Sequence, residues 1–359
     1  MEPLSDDSLN TLQHTVQHNC AISDARHARD YSLCIYLLRM REYFRWDHNL
    51  PLLHSVDIDQ VGNWVTDREL WWDEIEEQDY QPLHLNGIDF DPYDHKSINQ
   101  RLIPQGLVYS AGIGRMGQPH FALTTLIDHR VENNIEYFDC GKELARDTVT
   151  VPAMAQGRQV FIRRDGIRRL LWEMYDDWCL HRKAGAMAAV VEYFDLRSDE
   201  TLDAKLNQAS HHVASLFEAH ERGEVEAGLL LGDDYSSITL SLAGTRAEHH
   251  FRATRDLLAD TLCTWPLIIE QRSILYLDFW LAGLNGLRLS FLDTCGVHDQ
   301  LLKGTDDDRL RCLSDLTHTE QQRWRSQCLT LLAAYQNLNH AERLKLDVES
   351  LFTVNHNTD

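Results

Sequence analysis

The sequence predicts a mainly α-helical protein, a bundle-like helical core with a small α/β insert around residues 105–164. Three observations predict it. Apolar residues recur at helical spacing over most of the chain. Only 8 prolines interrupt 359 residues, which leaves room for long helices. Strand-like runs are confined to one central stretch, at Leu107-Val108-Tyr109, Ile135-Glu136-Tyr137-Phe138 and Gln159-Val160-Phe161-Ile162, with turn glycines between them. The reading gives an N-terminal helical region over 1–104, the insert over 105–164, and a C-terminal helical region over 165–359 sharing one core with the first.

In chain order, Ser8–Cys20 and Asp24–Asp47 read as helices. The second is apolar nearly all round (Leu33, Ile35, Leu37, Leu38, Met40, Phe44, Trp46), the pattern of a central buried helix. Thr66–Asp79 reads as an acidic amphipathic helix carrying Trp71 and Trp72. Pro82, Pro92 and Pro104 bracket a loop-rich stretch from 80 to 104. Beyond the insert, helices are expected over 165–183, 186–195, 199–222, 245–264, 273–290, 320–336 and 340–351. Thr305-Asp306-Asp307-Asp308 reads as an exposed loop.

The charge balance is 34 Lys+Arg against 56 Asp+Glu, a net −22. That argues against nucleic acid and against anionic membranes, both of which need a positive footprint. The first residues lack a basic and apolar leader pattern. The most membrane-like stretch, Ser273 to Leu292, contains Asp278, Asn285 and Arg288, each costly at bilayer depth. Eight cysteines include no C-x-x-C pair, so buried, reduced thiols in a cytoplasm are expected.

Two constellations point to an anion. Gly112-Ile113-Gly114-Arg115-Met116-Gly117 matches G-x-G-x-x-G, with Asp139 placed 22 residues beyond Gly117. A dinucleotide site needs a helix after those glycines, and Pro119 falls where it should begin. A tight turn, or a local loop using Arg115 and His120, fits better. The run from Arg158 to Arg169 holds five arginines and one aspartate; Asp165 is placed to cap the helix that follows. Its guanidinium forks, Arg163 and Arg164 among them, suit phosphate or carboxylate, whether on a ligand or on this protein's own acids.

Three constellations point to a metal. In 199–222 the apolar face is Leu202, Leu206, Ala209, Val213 and Leu216. His220 projects onto it, and so does Glu224 if the helix runs through Gly223; Glu218 and Glu221 point away. His27 and Asp30 sit three apart in the second helix, where an acid must be paired or ligate something, as must Glu42. In 245–264, Glu248 and Arg255 edge the apolar face, while His249, Asp256 and Asp260 form a polar stripe beside it. Two carboxylates four apart can hold a metal between helices, or can simply face solvent.

The stretches HARDYSLCIYLLRMREYFRW (27–46), GIGRMGQPHF (112–121) and RAEHHFRATRDLLADTL (246–262) resemble an uncharacterised family of bacterial cytoplasmic proteins of similar length. The resemblance implies a bacterial origin and no particular chemistry. From the residues, the first expectation is an enzyme acting on a small molecule. Its divalent metal (iron, manganese or zinc) would be held between helices by His27, Asp30, His220, Glu224 and Glu248. The second is a non-catalytic acidic scaffold for a basic protein partner, with Trp71-Trp72 as its aromatic contact. The third is a small anionic ligand, a nucleotide or phosphometabolite, held by Gly112, Gly114, Arg115, Gly117, His120, Arg163 and Arg164.

Overall fold

A computed structural model describes residues 5–27, 30–149 and 151–352. The chain opens with α1 (Asp6–His27), α2 (Leu33–Asp47) and α3 (Ile58–Ile75). A hairpin follows, β1 (Leu83–Leu85) and β2 (Ile88–Phe90), then α4 (His95–Leu102). A five-stranded sheet comes next: β3 (Leu107–Ile113), β4 (Pro119–Glu132), β5 (Ile135–Arg146), β6 (Ala153–Gln156) and β7 (Gln159–Arg163). The remainder is helical: α5 (Arg164–His181), α6 (Ala186–Tyr193), α7 (Leu202–Leu231), α8 (Asp233–Ser241) and α9 (Arg246–Ala259). A π turn over Asp260–Thr264 leads into α10 (Trp265–Gln271). Then come α11 (Ile274–Gly283), α12 (Gly286–Thr294), α13 (Val297–Leu301), α14 (Asp306–Gln336) and α15 (His340–Arg343).

The bundle with a small insert is therefore corrected. A curled, mixed sheet organises the N-terminal half as an α/β unit, with a second small sheet beside it. The order is β3-β4-β5-β7-β6; β5 and β7 run parallel and the other pairs antiparallel. Register shifts between Leu123 and Asp128 bulge the β4–β5 pair, and bulges bend strands. The Gln156 side chain on the last strand donates to the Ala111 carbonyl on the first, so the sheet's two edges approach each other.

The strand runs expected at 107–109, 135–138 and 159–162 lie in β3, β5 and β7, but β4, PHFALTTLIDHRVE, escaped notice because it is mostly polar in its second half. Its turn signals were nonetheless present. Asn133 and Asn134 both adopt positive φ between β4 and β5, and Asn86-Gly87 does the same between β1 and β2. Both fit the left-handed two-residue turns of hairpins.

Four apolar clusters position everything else among the described residues, one of them joining α1, α2 and α3 through Ile22, Met40 and Trp72. One face of the sheet packs with Leu12, Val16 and Cys20 of α1, with the β1–β2 hairpin and with α4. Val108, Phe138, Cys140 and Phe161 cluster separately on the sheet. Ile135, Tyr137, Val160 and Ile162 join the large core of the C-terminal helices, so α5 and α7 pack directly on the sheet.

Further helix expectations are corrected by packing. The second helix is not central: its first half is out in solvent, with Leu33 70% exposed and Ile35, Leu37 and Leu38 exposed too. Only Met40 and Glu42 to Arg45 are buried. Thr305-Asp306-Asp307-Asp308 is the start of α14, closed by a capping box between Thr305 and Asp308. Asp165 does not cap α5; its carboxylate accepts from the Glu143 N–H at 3.1 Å.

Candidate functional site

The strongest polar constellation lies where α7 crosses the end of α9. α7 buries Leu202, Leu206, Ala209, Val213 and Leu216, and it runs unbroken through Gly223 to Leu231. Gly223 is required by proximity: a Cβ there would collide with the Ala259 carbonyl of α9. The two backbones therefore approach closely, and side chains a turn away on each helix meet. α9 then widens into the π turn at Asp260–Thr264, just before Pro266, which has no N–H to donate. π turns insert an extra residue and re-aim side chains. Here the turn begins at Asp260, which is fully buried.

The resulting geometry is specific. His220 donates from Nδ1 to Asp260 at 2.7 Å. Asp260 also accepts from Thr264 at 3.1 Å and from Arg288. His220 Nε2 faces Glu224 at 3.7 Å, beyond a hydrogen bond. One ligand atom each from His220, Glu224 and Asp256 lies within 4.8 Å of the others. Two ligands on opposite sides of an ion, each at about 2.1 Å, stand about 4.2 Å apart, so small side-chain shifts would close the set. Arg255 bridges the same two acids, to Glu224 at 2.6 Å and to Asp256 at 3.1 Å.

Electrostatics follow from burial and charge. Burial opposes a charged His220 ring, but Asp260 outweighs it and holds the pKa up at about 9. Burial also opposes the charge on Asp260, yet Arg288 and His220 keep its carboxyl below the usual range. Burial is outweighed at Asp256 too, by Arg255, His220 and Arg288. Glu224 is pushed up by burial, against Arg255, and by the charge of Asp256. Glu221 rises to about 8 through burial and the nearby Glu224. It does not point away into water as expected, because α7 is packed by α5 and the sheet as well as by α9.

Of the five residues expected to hold a metal, the structure brings His220 and Glu224 together. His27, the last residue of α1, pairs with Asp30 at 2.9 Å, and neither takes part in the cluster. Glu42 is buried and paired, with Arg41 at 2.8 Å and Arg45 at 3.5 Å. Glu248 is 0% exposed and fully occupied. It accepts from the Met116 N–H at 3.0 Å, the Gly244 N–H at 2.7 Å and Arg252 at 2.7 Å. Met116 belongs to the glycine loop, so Glu248 ties that loop to α9.

The residues expected to hold an anion are dispersed. Gly114 accepts from Arg252 at 3.1 Å, Gly117 lies against Ala243, and Arg115 reaches His249 at 3.5 Å. Gly112 lies opposite His120 in the β3–β4 ladder. Burial pushes the His120 pKa down to about 3, so it offers no positive charge. Arg163 donates to Ser110 at 2.6 Å, and Arg164 clasps Asp139 with two bonds of 2.7 and 2.6 Å. Asp139 is thus an arginine partner, and β4 takes the place of a phosphate-binding helix after the glycines.

Asp256 and Asp260 were visible in the sequence as two acids four apart, but not as members of the His220 site. Arg255 and Arg288 gave no signal of their part. Of the aromatic pair, Trp72 is buried, and Trp71 lies against His18 and Arg68. Among the described residues, no helix is long and apolar enough to cross a membrane.

Two family models match the chain. One, described as the N-terminal domain of a family of unknown function (DUF6866), covers residues 11–163. The other, described as the C-terminal domain of the same family, covers 168–352. No curated protein and no solved structure matches.

Proposed function

We propose that this chain, which belongs to the DUF6866 family, is a metal-dependent enzyme acting on a small molecule between α7 and α9. The carrying observation is the convergence of His220, Glu224 and Asp256 with Asp260 buried behind the ring. A carboxylate on one ring nitrogen fixes the imidazole and leaves the other nitrogen for a ligand, the usual arrangement behind a metal-bound histidine. One imidazole and two carboxylates suit iron, manganese or zinc. Bound there, the ion would act as a Lewis acid toward substrate or water.

The chain's own residues have definite parts in this reading. His220 would ligate through Nε2 once that proton is lost to water, while Asp260, itself held by Arg288, keeps the ring in place. Arg255 occupies the two acids as their present cation and must swing away. Its freed guanidinium is then available to an anionic group on the substrate. The eight cysteines form no disulfide, which fits a reducing compartment as the setting.

The test is metal analysis of protein purified without chelator, with melting curves in Mn²⁺, Zn²⁺ and anaerobic Fe²⁺. A stoichiometric ion, or a melting increase lost in His220→Ala and in the Glu224→Gln, Asp256→Asn double variant, supports the site. No bound ion, with melting unmoved by all three metals and by EDTA, overturns it. The cluster would then be an ion-pair network that fastens α7 to α9.

A further inference from the structure

Glu221, next to His220 on α7, is buried at 8% exposure. Among the described residues no donor hydrogen-bonds its carboxyl group and no cation pairs with it. A buried carboxyl without a partner is costly, and such groups are normally paired or coordinate a metal. Beyond burial itself, the charges that act on it most are those of Glu224, His220, Arg255 and Asp256, every one of them in the cluster. We propose that the cluster holds two divalent ions, with Glu221 a ligand of the second and Glu224 the bridge between them. This rests on the metal site proposed above.

Helix geometry places the two glutamates for those parts. Residues three apart on a helix are neighbours, with Cβ atoms about 5–6 Å apart, so Glu221 and Glu224 lie side by side on α7. At about 100° per residue, Glu224 projects between His220 and Glu221. A carboxylate in the middle has two oxygens, one for the ion on each side. Two-metal sites hold their ions about 3.5–4 Å apart, so a ligand of the second ion belongs outside the set that surrounds the first. Glu221 stands there: the atoms of His220, Glu224 and Asp256 lie within 4.8 Å of one another, and Glu221 is not of their number.

The charge balance points the same way. Arg255 now serves Glu224 and Asp256, and it leaves them when an ion enters. One divalent ion offsets those two carboxylates and leaves Glu221 buried without a counter-charge. A second ion supplies it. Asp260 and Arg288 offset each other. Three carboxylates against two divalent ions then leave one positive charge, which suits an anionic group on the substrate. The imidazole faces the first ion, so the second meets carboxylate oxygens only. That donor set selects a hard ion, Mn²⁺ or Mg²⁺.

Titration of the full chain with MnCl₂, followed by calorimetry, metal analysis and low-temperature electron paramagnetic resonance, tests this. Two Mn²⁺ per chain are expected, with the exchange-coupled signal of ions about 3.5–4 Å apart. Glu221→Gln keeps the side chain's shape and removes its charge. It should lower the count from two to one and leave only the hyperfine pattern of an isolated Mn²⁺, with the first ion still bound. Circular dichroism confirms that the variant is folded, and the wild-type count decides by itself if it is not. One ion per wild-type chain, or two that Glu221→Gln leaves in place, overturns this inference and keeps the single-metal reading. No ion at all overturns both.

Discussion

The two ends of α9 carry acids that differ in burial and in use, Glu248 fully buried and Asp256 partly exposed. At the N-terminal end, Glu248 spends its oxygens on two backbone N–H groups and Arg252, every donor fixed in place. At the C-terminal end, Asp256 and Glu224 share one guanidinium, and His220 Nε2 faces them without a hydrogen bond. A buried charge whose partners are all rigid is a fastening. A half-buried cluster with an unfilled direction and a displaceable cation can accept something else.

The largest effect should come from the fastening. Glu248→Ala strands Arg252 and two backbone donors and should cost about 3–5 kcal/mol, read from urea unfolding at pH 7. A loss under 1 kcal/mol would erase the contrast between the two ends. Next comes Gly223→Ala, whose methyl collides with backbone at Ala259. Overpacking against atoms that cannot yield should cost about 3 kcal/mol and push α7 from α9. Any metal-induced melting shift should fall with it.

The smallest effect is the pH dependence of the metal-free protein. The folded pKa of His220, about 9, exceeds the ordinary value of about 6.5. Its stabilisation is therefore complete below about pH 6.5 and lost as pH rises through about 9. Glu221, about 8 when folded, is an acid with a raised pKa, so stability also falls with rising pH, between its ordinary range and about 8. The two run in the same direction. His220→Gln should flatten the upper part by about 2 kcal/mol, after allowance for the ring's partial exposure, and Glu221→Gln the lower part. Unfolding midpoints from pH 5 to 10 check this, and a native protein that gains stability over that span would contradict the assigned charges.

Much of the site's raw material was legible in the sequence. His220 and Glu224 fall on one stripe of a long amphipathic helix, and Asp256 and Asp260 repeat at i, i+4 on another. Glu248 looked equally eligible. Its fate turned on Met116 and Gly244, whose backbone N–H groups no side-chain pattern encodes. The arginine run likewise stood out as an anion site, yet Arg164, Arg168 and Arg169 found Asp139, Asp203 and Glu143 across the fold. α2 misled in the opposite sense: an apolar helix reads as buried unless something leaves it uncovered.

Local chemistry alone determined most helices and the i, i+4 stripes, because periodicity and capping act over a few residues. The curl of the sheet, the approach of α7 to α9 at Gly223, and the choice of which acid met an arginine were tertiary decisions. Each depends on contacts between residues tens to more than a hundred positions apart. A single sequence shows that such charges need partners, but only packing selects which partner arrives.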